Sequence, residues 1–104
     1  MKILVLAQRH KDVSLDQMRP HFKAEVEAVW RLYSQGIVRE FYTRADNGGP
    51  AILTVESETV ESAEKVLAQL PLVELKMIDL DLIPLAPFNG LTHLFQPEVL
   101  EASN

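Results

Sequence analysis

The chain has 104 residues, 47% of them hydrophobic and 24% charged, and carries a formal net charge of −5 at pH 7. That composition belongs to a folded domain, and the acidic balance repels a phosphate backbone, so no nucleic-acid partner is expected. There is no cysteine, which excludes disulfides, thiolate nucleophiles and Cys-ligated metals and fits a cytoplasmic location.

The opening "MKILVLAQRH" holds an apolar run of five residues. This is too short for a signal peptide or a membrane span, so no membrane partner is expected, and residues 2–8 read as a first strand. Ser14 then opens "SLDQ", a capping-box pattern with Gln17 at the third helical position. Leu15, Met18, Phe22, Val26, Val29 and Tyr33 follow. They fall within about 80° of one another at ~100° per residue, so they predict an apolar helix stripe. Pro20 permits a break after one turn and a restart, and Gly36 stands where a helix-ending glycine would.

"IVREFYTR", 37–44, alternates between Ile37/Arg39/Phe41/Thr43 and Val38/Glu40/Tyr42/Arg44. Asn47-Gly48-Gly49 is a hairpin-turn signal, and "AILTVE", 51–56, is the returning strand. Thr59 caps a second helix with Val60, Ala63, Leu67 and Leu70 on one side, and Pro71 ends it. "LKMIDLDLIP", Leu75 to Pro84, is a fourth strand, with Ile78, Leu80 and Leu82 on one face and Met77, Asp79 and Asp81 on the other. The order βαββαβ predicts an α+β, ferredoxin-like fold: one antiparallel sheet with two helices on one face. Residues 1–104 form a single domain in this reading, with 85–104 as a C-terminal tail.

Two helices cover one face of such a sheet, and a solvated second face should be polar at alternate positions. Here the first strand offers Ile3, Val5 and Ala7 on one side but Leu4 and Leu6 on the other. The third offers Ala51, Leu53 and Val55 opposite Ile52 and Thr54. Leaving such side chains in water forfeits about 1.5–3 kcal/mol each. A two-fold homodimer that buries the second face is the simplest remedy.

The order of elements, the Gly36 stop, "EVEAVWRLYSQGIVR" and "LAQLPL" before "IDLDLIPL" resemble the muconolactone isomerase-like family. The resemblance covers nearly the whole chain. It implies a dimeric α/β barrel made of two sheets face to face, a homodimer or a higher oligomer of dimers, and a small-molecule ligand. The chain departs from the family pattern in the second strand, where Glu40 replaces a His and Tyr42 a Trp.

On the more polar side of the second strand, Glu40 and Tyr42 are placed in the barrel, where a carboxylate and a phenol can move a proton beside a carbonyl and stabilise an enolate. The plain alternative is an edge strand with ordinary surface residues. Glu25 flanks the apolar stripe as a second candidate base or a solvated border residue. Asp79 and Asp81, about 7 Å apart along a strand, either line a cavity or keep an edge strand from pairing with others. His93, in the tail after Gly90, is placed to cap a barrel mouth or to sit in solvent.

No metal is expected: His21 and Glu25 supply one helical pair, whereas a structural zinc needs four ligands. No cofactor is expected either, since G-x-G-x-x-G and P-loop patterns are absent. The central strands also lack the aromatics on which an RNA-binding sheet stacks bases.

The resemblance therefore implies a cofactor-free isomerase or lyase acting on a carbonyl or lactone compound, with Glu40 or Glu25 as base and Tyr42 as hydrogen-bond donor. A cofactor-independent monooxygenase and a non-catalytic binding or assembly module are the alternatives. A polar, ligand-sized cavity would favour the enzymes, and an interior filled by aliphatic side chains the module.

Overall fold

A computed structural model describes residues 1–46 and 49–95. The expected turn residues Asn47 and Gly48, and the tail from 96 onward, lie outside the described residues. Strand β1 (Lys2–Arg9) leads through a short helix α1 (Leu15–Met18) and a 3-10 turn (Arg19–His21) into α2 (Phe22–Ser34). Strands β2 (Val38–Thr43) and β3 (Ala51–Glu56) follow, then α3 (Val60–Leu67), a four-residue helix α4 (Pro71–Glu74) and β4 (Ile78–Pro84). A last 3-10 stretch runs over Asn89–Phe95.

The sheet order is β2-β3-β1-β4, with every neighbouring pair antiparallel. This is the expected ferredoxin-like fold. β1 and β3 are its central strands.

The helix ends follow local chemistry. Ser14 and Gln17 complete the capping box: Ser14 Oγ accepts from the Gln17 amide at 3.2 Å and Gln17 Oε1 from the Ser14 amide at 2.7 Å. Pro20 sits in the 3-10 turn, so α1 and α2 are the two pieces its missing N–H allows. α2 ends in a Schellman motif, with the Gly36 amide on the Tyr33 carbonyl and the Ile37 amide on that of Leu32, both at 3.0 Å. Gly36 has φ 79° there, and nothing crowds its Cβ direction.

Pro71 differs from expectation. It opens α4 at the first helical position, where its missing N–H is harmless, instead of simply ending α3. The fourth strand consequently starts at Ile78, later than expected, after a second Schellman motif around Lys76.

The core lies between the helices and one sheet face. Ile3, Val5, Val38, Leu53 and Val55 pack against Ala63, Leu67 and Leu70, with Ala28, Val29 and Leu32 of α2 closing the other side. Met18, Leu72 and Ile78 form a second cluster beneath α1 and α4.

α2 is rolled away from the expected stripe. Its core-facing residues are Ala28, Val29 and Leu32, whereas Val26 and Trp30 are 66% and 59% exposed. A 3-10 turn advances 120° per residue against 100° in an α-helix. The phase read from Leu15 and Met18 therefore does not carry past Pro20.

The other sheet face has no helix over it. A register shift between Val38 and Glu40 puts Val38 in the core and Glu40 and Tyr42 on this open face, breaking the alternation expected for β2. Two rows cross the open face: Glu40, Thr54, Leu4, Ile83, and Tyr42, Ile52, Leu6, Asp81. Their aliphatic members are only half-buried. After β4, the Leu85 amide still bonds to the Lys2 carbonyl at 2.9 Å, and beyond it Phe88, Leu91, Leu94 and Phe95 are exposed.

Candidate functional site

The residues that carry chemistry fall on both sides of the sheet. On the helix side, α1, α2 and the ends of β1, β3 and β4 line a half-open cavity of about 630 Å³, within the range of small-molecule sites. Met18, Phe22, Val29, Leu53, Leu72 and Leu80 supply apolar wall. Two charged side chains reach it, Glu25 and Arg9.

Glu25 is half-buried because the roll of α2 turns it inward, beside Ala28 and Val29. Its Oε1 accepts a 2.9 Å hydrogen bond from the Leu72 amide, one of the unpaired donors that open α4. Burial raises its pKa above 4.5, and the Leu72 hydrogen bond opposes that rise without cancelling it. Oε2 receives no protein donor among the described residues. A carboxyl with one oxygen fixed, the other available and a raised pKa is suited to general acid–base work.

Arg9 stands at the end of β1, opposite Ile78 in the sheet register. Its Nη1 donates to the Val13 carbonyl at 3.2 Å, which holds the turn between β1 and α1.

On the open face, Glu40 and Tyr42 lie side by side on β2. The Tyr42 hydroxyl donates to Glu40 Oε2 at 2.8 Å, the Thr54 hydroxyl to Oε1 at 3.0 Å, and Lys2 Nζ lies 3.4 Å from Oε1. These contacts, led by the Tyr42 hydrogen bond, hold the Glu40 carboxyl below its ordinary pKa. The same bond raises the pKa of Tyr42. As it stands, this is a solvent-accessible hydrogen-bonded cluster: its carboxylate is a weakened base and its phenol a weakened acid.

The remaining candidates lie away from both groups, Asp81 at the far end of the open-face row that starts at Tyr42. Asp79 and Asp81 are exposed on β4, three strand spacings or roughly 14 Å from β2 within one chain. With His10, Glu64 and Lys76 they rim a shallower groove of about 540 Å³ along the outer edge of the sheet. His93 is exposed in the last 3-10 stretch. Glu25 is separated from Glu40 and Tyr42 by the sheet itself. Among the described residues, no group of three or more His, Asp or Glu is placed to hold a metal ion.

Sequence reasoning passed over Arg9 and the helix-side cavity. One signal for the cavity existed: Glu25 lies three residues after Phe22 and four before Val29, on the apolar side of the helix. Nothing about Arg9 distinguishes it in sequence, because only the fold brings the end of β1 under α1.

No family model matches the chain, and no curated protein is similar to it in sequence. Among solved structures it is similar to 5-chloro-2-hydroxyhydroquinone dehydrochlorinase (TftG) from Burkholderia phenoliruptrix, in complex with 2,5-dihydroxybenzoquinone. The match has a TM-score of 0.65 at 11% identity and covers 86% of this chain and 98% of the other. At that identity the likeness shows the shared fold. Among the described residues no helix is long and apolar enough to cross a membrane.

Proposed function

We propose that the chain is a cytoplasmic small-molecule enzyme of the muconolactone isomerase-like kind that moves a proton beside a carbonyl without a cofactor. The helix-side cavity is its site and Glu25 its base. The observation that carries this reading is a carboxyl half-buried in a ligand-sized apolar cavity, with one oxygen pinned by the Leu72 amide and the other available. A carbonyl compound seated there gives up a proton from the carbon next to its C=O to Glu25 Oε2, and Glu25 returns it at the same carbon or, where a C=C is conjugated with the enolate, at the carbon two positions further on. The neighbour's bound 2,5-dihydroxybenzoquinone is itself a cyclic carbonyl compound, so cyclic ketones and lactones are the class to test first.

The open face supports a second part of this reading, a two-fold homodimer. Leu4, Leu6, Ile52 and Ile83 are half-buried there with no helix above them, and a second copy removes that surface from water. A two-fold axis parallel to the strands lays each row of the face on its own reverse, so that Asp81 of one copy faces Tyr42 of the other. The Lys2–Glu40–Thr54–Tyr42 cluster suits such burial, since Glu40 is already paired and hydrogen-bonded. In this reading Glu40 and Tyr42 pin the interface, and the proton chemistry stays with Glu25.

The test is deuterium exchange at the α-carbon of cyclic ketones and butenolides in heavy water, followed by proton NMR. Exchange should be faster with the wild-type protein than with buffer, and Glu25→Gln should abolish the acceleration while Glu40→Gln keeps it. Loss of exchange in Glu40→Gln but not in Glu25→Gln would move the site to the open face. A wild-type rate equal to buffer across the panel would remove the proposed chemistry.

A further inference from the structure

The two charged groups of the cavity occupy different places in it: Glu25 on α2 against the α4 amide, and Arg9 at the end of β1 beside the turn that leads into α1. Arg9 has five N–H donors. One is given to the Val13 carbonyl, and no acidic side chain partners the guanidinium among the described residues. Arg9 is exposed to solvent and borders the half-open cavity, so in a chain with net charge −5 it offers a cation without an acid of its own at the cavity's edge. The remaining wall offers mainly hydrocarbon. A ligand oriented by these groups meets hydrocarbon over most of its surface, a cation at one position and a carboxyl at the other.

We propose that the cavity takes an apolar acid: a compound with a hydrocarbon body and one carboxylate, the carboxylate held by Arg9 and the body laid against Glu25. This names the substrate class for the cavity and rests on the reading above that the cavity is the binding site. The orientation follows from charge. A carboxylate placed at Glu25 meets like charge, whereas at Arg9 it accepts charge-assisted hydrogen bonds from the guanidinium face that Val13 leaves open. An amine would be drawn the opposite way, towards Glu25 and away from Arg9. A neutral carbonyl compound would accept at most an uncharged hydrogen bond from the guanidinium and would be held there less firmly.

The experiment compares three probes of one size, hydrocinnamate, its neutral amide and 3-phenylpropylamine, titrated into the full chain by protein NMR. Shifts at Met18, Phe22 and Leu72 locate the binding, and the dissociation constants rank the probes. The acid should bind about tenfold more tightly than the amide, as expected for one charge-assisted contact. Arg9→Gln should erase that preference while leaving the amide unchanged, Arg9→Lys should keep part of it, and added salt should weaken the acid but not the amide. The unchanged affinity for the amide is the check that Arg9→Gln still folds around an intact cavity. If that variant fails to fold, Arg9→Lys and the salt series decide alone. Equal binding of acid and amide overturns the proposal and leaves the cavity reading standing. Preference for the amine, or an acid preference that survives Arg9→Gln, also overturns it. If no probe binds at Met18, Phe22 or Leu72, the cavity reading falls with it.

Discussion

Replacing Glu25 by Gln and by Ala separates the two things its carboxyl does. Gln keeps an oxygen for the Leu72 amide and removes the charge; Ala removes both. The difference in stability between the Gln and Ala variants therefore isolates the acceptor for α4. A helix-end donor that loses its side-chain acceptor costs about 1 kcal/mol, and this difference should hold at every pH.

The difference between wild type and Gln isolates the charge, and it should change with pH. Glu25 has a folded-state pKa raised above 4.5, because burial disfavours the carboxylate. A group of that kind contributes stability that is fully present below its unfolded pKa and is lost as the pH rises through the folded value. Wild type should thus lose ground to Glu25→Gln as the pH rises from below 4.5 through the raised folded-state value. Glu40 and Glu56 have lowered pKa values and act in the opposite sense, losing stability as the pH falls. They are present in all three proteins and cancel from the differences.

The assay is urea unfolding followed by far-UV circular dichroism at fixed protein concentration and several pH values. A wild-type-minus-Gln difference that stays flat, or that slopes the other way, would refute the claim that Glu25 is desolvated. A Gln–Ala difference of only a few tenths of a kcal/mol would show that the Leu72 contact does not hold α4.

Two further substitutions probe the frame around the site. Lys76 has φ 60° at the left-handed position of the second Schellman motif, whose amides bond to the Val73 and Leu72 carbonyls. Lys76→Gly should therefore raise stability by about 0.5–1 kcal/mol, and no gain on urea unfolding would mean that the backbone is not strained there. Leu53 and Leu4 contrast the two faces. Leu53→Asp, at a core site 5% exposed, should cost more than about 3 kcal/mol and unfold the chain. Leu4→Asp should leave circular dichroism intact and convert a dimer of about twice 11.7 kDa into a monomer by light scattering. A Leu4→Asp protein that remains dimeric would exclude the open face as the interface.

What could be read from sequence was what depends on neighbours along the chain. Ser14 with Gln17, Thr59 and Gly36 mark helix ends because each acts on backbone groups within a few residues. Strand alternation in β1 and β3 was likewise sufficient to sort Ile3, Val5 and Leu53 from Leu4, Leu6 and Ile52. The failures share a different cause, a shift of phase that leaves no residue signature. The extra residue in β2 put Val38 in the core although it shares parity with Glu40 and Tyr42. The 3-10 turn at Pro20 rotated α2, and Lys76 adopted a conformation usually advertised by glycine.

The same shifts determine which carboxyl is suited to chemistry. Strand alternation drew attention to Glu40 and Tyr42, and the fold does join them, but it joins them to each other and to Thr54 and Lys2. Their hydrogen-bonding capacity is directed inward. Glu25 looked like a border residue for as long as α2 carried the phase of α1. Once the helix is rotated by the turn at Pro20, the border moves to Val26 and Trp30, and the carboxyl enters the apolar cavity with α4 supplying one donor. A charged residue next to an apolar stripe is therefore best read in both phases whenever a proline precedes the helix. In the rotated phase, Glu25 is the carboxyl that burial leaves with an oxygen to offer a ligand.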